Sequence, residues 1–362
     1  MSKPIKLFDP KIDNSEKRII NKVLQSHLWA SGSGTNYVQQ FENKFSRYTN
    51  SDDCVSVNSG TAALNLALSA AKIKNTEVIL PSLTFVSTAN AVMINGGKPI
   101  FADVDPTNLC IDPQSIKKLI TKKTSTILPV HFAGMPCGLN EITNICKEKN
   151  LTLVEDAAHA VGSKYENKRI GGHGDFVCFS FHPVKNLAMP TGGIISINHK
   201  NHKKISKYLK AMRWCGITDR KGPFYDVKEL GNNYYMNEFS AAIGLMQLKK
   251  VNMMNDRRQE IAKRYDTEIT IEKKIPFRKY CSYHIYWILV KNRNRFMKIM
   301  AENGVETGVH YRPVHNFTFY KNSSRLPITD KISKQIVSIP VHSNLSDGEV
   351  DKIIKLVTKF TN

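Results

Sequence analysis

Three short stretches of this 362-residue chain carry side chains that could bind an anion, hold a heterocycle and bond covalently to a carbonyl. The first is Asn58-Ser59-Gly60-Thr61-Ala62-Ala63-Leu64, where a strand-like run stops in a turn of small residues and an alanine-rich helical run begins. The unpaired amides of a first helical turn, the positive end of the helix dipole and the hydroxyls of Ser59 and Thr61 all favour a phosphate. An ordinary N-cap by Ser or Thr reads the same way, so this stretch alone does not decide. The second is Val154-Glu155-Asp156-Ala157-Ala158-His159-Ala160, which puts an acid at the carboxyl end of a predicted strand, where ligands of open α/β sheets bind. Asp156 also suits a helix N-cap, and His159 a hydrogen-bonded core histidine. The third is Cys178-Phe179-Ser180-Phe181-His182-Pro183-Val184-Lys185-Asn186-Leu187, a strand that runs into a lysine and, after Pro190-Thr191, into Gly192-Gly193. A lysine in a partly desolvated strand-end site loses its proton readily and forms a Schiff base with a carbonyl cofactor; a surface loop lysine does not.

Positioning such groups takes a parallel sheet, and the chain has the pattern for one. Strand-like runs at 54–57, 77–80, 99–103, 125–131, 151–155, 176–181 and 193–197 alternate with helix-like segments at 61–71, 138–149 and 202–213. Short buried strands separated by helices predict an α/β sandwich. A long helical pattern at 236–265 then leads to a strand-like run at 283–290 and a helix near 293–303. Ser346-Asp347-Gly348-Glu349 forms a capping box ahead of the apolar positions of 350–360. The expected division is a large domain over 1–245 and a smaller C-terminal α+β domain over 246–362.

Bulk composition narrows the class. Hydrophobic residues at 41% and charged residues at 23% are ordinary for a globular protein, and 20 Gly with 15 Pro exclude a low-complexity chain. No apolar run reaches the roughly 18 residues of a membrane span, and the N-terminus has no signal-peptide core, which points to a cytoplasmic protein. Seven scattered cysteines without a Cys-x-x-Cys pair read as reduced packing residues, with neither a disulfide framework nor a metal site. The charge is unusual: 52 Lys and Arg against 31 Asp and Glu give +21, enough to draw anionic ligands into a cleft. Lysines 200, 203, 204, 207 and 210 form a local run, but no nucleic-acid motif accompanies them, so a solvated basic face is the better reading.

Taken together the three stretches resemble the DegT/StrS family of pyridoxal-phosphate sugar aminotransferases, which have the fold-type I architecture. The likeness runs from Leu28-Trp29-Ala30-Ser31-Gly32 and Phe41-Glu42 through Ser59-Gly60-Thr61-Ala62-Ala63-Leu64 and Pro81-Ser82-Leu83-Thr84-Phe85. It continues through Glu155-Asp156-Ala157-Ala158-His159, Ser180-Phe181-His182-Pro183-Val184-Lys185-Asn186 and Gly231-Asn232-Asn233-Tyr234-Tyr235-Met236 to His310-Tyr311-Arg312-Pro313-Val314-His315. The resemblance implies a large, mixed but mostly parallel sheet sandwich with pyridoxal 5'-phosphate as cofactor. Lys185 would hold that cofactor as a Schiff base and then shuttle a proton between substrate and cofactor. Asp156 would pair with the pyridine nitrogen and His159 would sit near the phenolic oxygen. Gly60, Thr61, Ala62 and Ser180 would cradle the phosphate, Phe85 would stack on the ring, and Asn233 would reach the phosphate of a second subunit, which implies a homodimer with shared sites.

By the same resemblance the reaction is transfer of an amino group from glutamate to a keto-sugar nucleotide. His182 after Ser180-Phe181 looks more like the enzymes that aminate a 4-keto-6-deoxy sugar at C4 than like those acting at C3. Candidate substrate contacts are His182, His310, Tyr311 and His315, for which a core tyrosine and loop hydrogen-bonding histidines are the competing reading; the basic run near 200–210 or Arg213 could help to bind the diphosphate, although the family pattern assigns neither. Two departures bear on the acceptor: Met189-Pro190-Thr191-Gly192-Gly193 stands where many relatives have Thr-Gly-Glu-Gly-Gly, and Tyr235 replaces a common Arg. Rival readings are a C3-keto or cyclitol acceptor, and a basic regulatory or binding protein using the fold without chemistry. A desulfurase would want an exposed mobile cysteine, whereas Cys178 and Cys215 read as buried or helical. A sugar dehydratase of the same family would carry His in place of Lys185.

Overall fold

The computed structural model of the chain describes residues 3–320 and 324–361. In chain order it begins with α1 (Asn14–Ser26), α2 (Tyr37–Thr49), β1 (Asp53–Val57), α3 (Gly60–Ala70), β2 (Glu77–Pro81), α4 (Ser87–Ile94) and β3 (Lys98–Ala102). There follow α5 (Pro113–Leu119), β4 (Thr124–Ile127), α6 (Leu139–Lys149), β5 (Thr152–Asp156), β6 (Lys164–Tyr165), β7 (Lys168–Arg169), β8 (Phe176–Ser180) and β9 (Gly193–Ile197). The chain continues through α7 (His202–Met212), β10 (Ile217–Lys221), β11 (Phe224–Val227), α8 (Glu238–Glu268) and β12 (Tyr286–Leu289). It closes with α9 (Arg293–Glu302), α10 (Pro327–Ser333), β13 (Ile336–Ile339) and α11 (Asp347–Phe360).

Seven strands form one sheet in the order β1-β9-β8-β5-β4-β2-β3. Pairing is parallel throughout except at β9, which runs antiparallel to both β1 and β8. This is the mixed, mostly parallel sheet expected. Successive side chains of a strand point to opposite faces, and here they feed two separate cores. In β8, Val177 and Phe179 join the core under α2 and α8, while Phe176 and Cys178 join the one under α3, α4 and α7. Both faces are therefore covered, and the strands read as continuous apolar runs for that reason.

Helix starts are fixed locally. Asp13 and Glu16 form a capping box on α1, Ser346 and Glu349 form the expected one on α11, and Asn237 accepts from Ser240 N–H at the start of α8. The 31 residues of α8 run past position 245, so the expected domain boundary falls inside a helix that carries side chains of both regions. The C-terminal region pairs β12 with β13 antiparallel and packs α9 against β13 and α11 against α8.

Two expectations are corrected. The cysteines are all free and six are buried, but Cys215 is exposed, in a left-handed turn with φ 54°. The helix containing the basic run ends at Met212, so Cys215 lies beyond it. The strand expected over 125–131 stops at Ile127, because the chain leaves the ladder there and only Val130 touches β5 again, opposite Asp156.

Candidate active site

The carboxyl ends of β5 and β8 and the amino end of α3 converge on a cavity of about 410 Å³. At the last of these, Ser59 Oγ accepts the Ala62 N–H at 3.1 Å and so starts the helix. The amides of Gly60 and Thr61 have no acceptor within the helix, and both residues line the cavity, an arrangement that suits an anion. Glycine is required at position 60: a Cβ there would stand 2.6 Å from Ser180 Cβ, so only Gly lets α3 approach the end of β8. Ala62, expected at the phosphate, is 2% exposed and its amide is already given to Ser59.

Asp156 ends β5 and is 5% exposed. Thr88 Oγ1 donates to its Oδ2 at 2.8 Å and Ala158 N–H to its Oδ1 at 3.1 Å. Burial raises its carboxyl above the ordinary range, while these two donors and the charge of Lys185 oppose the rise. Lys185 lies on the loop after β8, which is pinched shut by Phe181 N–H to Gly192 O and Met189 N–H to Phe181 O. Burial pushes its amine down to about 8, against the pull of Asp156. A lysine so placed has an appreciable unprotonated fraction near neutrality and can add to a carbonyl.

His159 and Tyr311 line the same cavity, and so do Phe85, Ser180, His182 and His310. Phe85 is 55% exposed, its ring free to meet a flat ligand. His159 Nδ1 accepts the Ala133 N–H at 3.3 Å and its Nε2 lies 3.0 Å from Tyr311 Oη. Burial, then the positive charge of Lys185, holds His159 well below 6.5. His310, bonded through Nδ1 to Ser338 Oγ at 2.8 Å, is pushed down to about 4 by burial and Lys185. The imidazoles at the site are therefore neutral at pH 7.

Other expected residues lie elsewhere. His315 is buried away from the cavity, its Nδ1 2.7 Å from Ser82 Oγ and its Nε2 3.0 Å from Asp330 Oδ1, and it ties the loop after β2 to α10. Asn233 is exposed outside this cavity, its carbonyl accepting from Asn58 Nδ2. No α7 lysine lines the cavity. Arg213 corrects the expectation of a diphosphate contact: it is 0% exposed and bonded to Glu42, Ser56 and Ser33. Its Nη1 and Nη2 are committed to the interior, and its one unpartnered donor, Nε, is buried away from the cavity.

Sequence reasoning missed three groups at the site: Phe8, which lines the cavity, and Thr88 and His284, which bond to Asp156 and Lys185 from behind it. Thr88 lies at the first turn of α4, a helix the apolar pattern did not reveal. Phe8 comes from the N-terminal segment, held on the C-terminal region by Ile5 N–H to Gly304 O and Leu7 N–H to Glu306. His284, 3.5 Å from Lys185 Nζ, was hidden in a run of strand composition whose only outward signal was a histidine among apolar residues. Among the described residues no group of three or more His, Cys, Asp or Glu could hold a metal ion, and no helix is long and apolar enough to cross a membrane.

Comparison with known proteins gives the same site a context. A model of the DegT/DnrJ/EryC1/StrS aminotransferase family matches residues 10–358. The uncharacterized protein MJ1066 of Methanocaldococcus jannaschii is 32% identical over 98% of this chain and 97% of its own length. Among solved structures, the putative sugar aminotransferase Spr1654 from Streptococcus pneumoniae in its PLP-form superposes with a TM-score of 0.93 at 26% identity, covering 98% of each chain. It has been solved in a PMP-form too. PseC of Helicobacter pylori, an aminotransferase involved in the biosynthesis of pseudoaminic acid, matches with a TM-score of 0.93 at 27% identity over 99% of both chains.

Proposed function

The chain belongs to the DegT/DnrJ/EryC1/StrS aminotransferase family, as a sugar aminotransferase dependent on pyridoxal phosphate, and from that premise we propose that it moves an amino group from L-glutamate to C4 of a 4-keto-6-deoxy sugar nucleotide. The observation that carries this reading is the placement of Lys185 and Asp156 on one cavity beside the free amides of Gly60 and Thr61. The cofactor, when bound, supplies the electron sink for breaking a C–H bond next to nitrogen. Asp156, whose oxygens already accept from Thr88 and Ala158, keeps a carboxylate at the cavity floor for a protonated ring nitrogen. Gly60 and Thr61 would hold the phosphate and Phe85 would cover the ring. Lys185, depressed to about 8, carries and releases a proton at Nζ near neutral pH.

His182, exposed at the cavity mouth, supports C4 amination, and the net charge of +21 supports an anionic nucleotide substrate. Thr191, which donates to Asn58 O, holds the unusual Pro190-Thr191 loop against the turn before α3 and shapes the acceptor side. A C3-keto sugar or a cyclitol is the alternative acceptor. A homodimer with shared sites is part of the proposal: Asn233 is exposed, and so are Leu28, Trp29, Phe224 and Leu230. So is a cytoplasmic location, which seven free thiols favour.

The test is the visible absorption of the purified protein with pyridoxal phosphate, before and after glutamate, alongside Lys185→Ala. A band that requires Lys185 and is bleached by glutamate is expected, followed by its return with a 4-keto-6-deoxy sugar nucleotide. No Lys185-dependent band, or recovery with 3-keto sugars only, would overturn the corresponding part of the reading.

A further inference from the structure

Among the described residues Lys185 Nζ has a single hydrogen-bonding side chain, and it comes from 99 positions further along the chain. His284 Nε2 lies 3.5 Å from Nζ. His284 leads into β12, and its backbone N–H is fixed to Ala133 O at 2.9 Å. Phe8 stacks on its ring at 5.2 Å and 20°, and His159 packs against it at 4.5 Å. Asn186, beside Lys185, donates through Nδ2 to Ser282 O at 2.8 Å and to Asn255 Oδ1 at 3.0 Å. Lysine loop and histidine segment are therefore clamped to each other as well as facing each other.

The three imidazoles around Lys185 differ in what their nitrogens do. Both nitrogens of His159 have partners, and Nδ1 of His310 is bonded to Ser338. His284 Nδ1 is buried with no partner, which costs stability that an apolar residue would not. With Nδ1 free, only the lysine fixes the tautomer: Nε2 accepts from an ammonium, or carries the proton and donates to an amine. Burial, followed by the charges of Lys185 and Arg258, keeps the ring neutral. The other titratable groups around this pair are Asp156, His182 and Tyr311, of which Asp156 is the only acid.

Resting on the reading of Lys185 as the cofactor lysine, we propose that His284 is its positioning residue: Nε2 receives the amine whenever the lysine is not bonded to the cofactor and holds it at one point of the cavity. Proton transfer and return of the lysine then start from a fixed geometry rather than from a flexible four-carbon chain. The Phe8 stack makes the N-terminal segment part of that support.

The experiment compares His284→Leu, which fills the space without an acceptor, with His284→Gln, whose amide reaches the Nε2 position. In the full-length apoprotein, the pH dependence of the rate at which pyridoxal phosphate is captured reports the amine of Lys185. For His284→Leu the midpoint is expected to fall below that of wild type, because the ammonium has lost an acceptor; for His284→Gln it stays near wild type. In the loaded protein, single turnover with glutamate is expected to slow roughly 10-fold for Leu, with a larger isotope effect from α-deuterated glutamate, and by less than about threefold for Gln. If the Leu variant does not fold, His284→Asn, too short to reach Nζ, is expected to show the same losses. Equal midpoints and isotope effects in wild type, Gln and the acceptor-less variants would overturn the role of His284 alone. A cofactor band that survives Lys185→Ala would overturn the reading of Lys185, and this inference with it.

Discussion

His159 directs its Nε2 at the hydroxyl of Tyr311, 3.0 Å away, while its Nδ1 accepts the backbone N–H of Ala133. Since Nδ1 receives a proton donor, the ring proton belongs on Nε2, and Tyr311 Oη is the acceptor. The Tyr311 O–H is left free to donate into the cavity. Tyr311→Phe is expected to leave cofactor binding intact but to slow the glutamate half-reaction about 10- to 100-fold, measured by stopped-flow absorbance. It should also lower stability by about 1 kcal/mol through the unpaired His159 N–H.

Lys185 has a consequence for stability without cofactor. Its amine ordinarily titrates at 10.5 and stands at about 8 in the folded chain. Between those values the unfolded chain binds more protons than the folded one, so stability rises with pH across the window and carries the full penalty below about 8. Lys185→Met removes this dependence. The difference in unfolding free energy between apoprotein wild type and Lys185→Met is expected to narrow from pH 8 to pH 10.5 by up to about 3 kcal/mol, less what water in the open cavity screens. Urea unfolding at the two pH values measures it, and a constant difference would refute it.

Arg213 and Glu42 form an interior ion pair at 2.5 Å, side-chain exposure 0% and 5%. Ser56 adds donors to Glu42 through both its N–H and its hydroxyl. Arg213→Met leaves the buried carboxylate with only the Ser56 donors and the more distant Lys210 Nζ at 3.9 Å, at an expected cost of about 3 kcal/mol in chemical unfolding. KM for the nucleotide substrate in the surviving folded protein is expected to stay within about twofold, since the guanidinium is fully buried and lines no part of the cavity.

Gly60→Ala tests the anion site. The added Cβ would meet Ser180 Cβ at 2.6 Å, and the clash moves the first turn of α3 away from β8. Affinity for pyridoxal phosphate, followed by absorbance titration, is expected to fall at least about 10-fold, with a smaller effect on free pyridoxal, which lacks the phosphate.

Order of elements and chemistry of the main groups were legible in the sequence because both are local. Ser59 before an alanine-rich run, Asp156 at the end of one short buried strand and Lys185 after another are fixed by their own neighbours. So is the Ser346–Glu349 capping box. The mostly parallel sheet follows from strands separated by helices. What lies between 1 and 50, by contrast, was not read as helix, although α1 and α2 are both there: their surfaces are half polar, and α8 supplies the apolar partner that makes them fold.

Only the tertiary structure decided which residues meet. The sheet order brings the ends of β5 and β8 side by side, and the C-terminal region folds back so that His284 faces Lys185 across 99 positions of chain. The same packing withdrew Arg213 and His315 into the interior, where each found a carboxylate, and left Cys215 outside. A basic side chain carries no mark in the sequence of whether its partner will be a ligand or a buried acid. That choice is made by burial and by non-local contacts, because the cost of desolvating a charge is settled only by what is packed beside it.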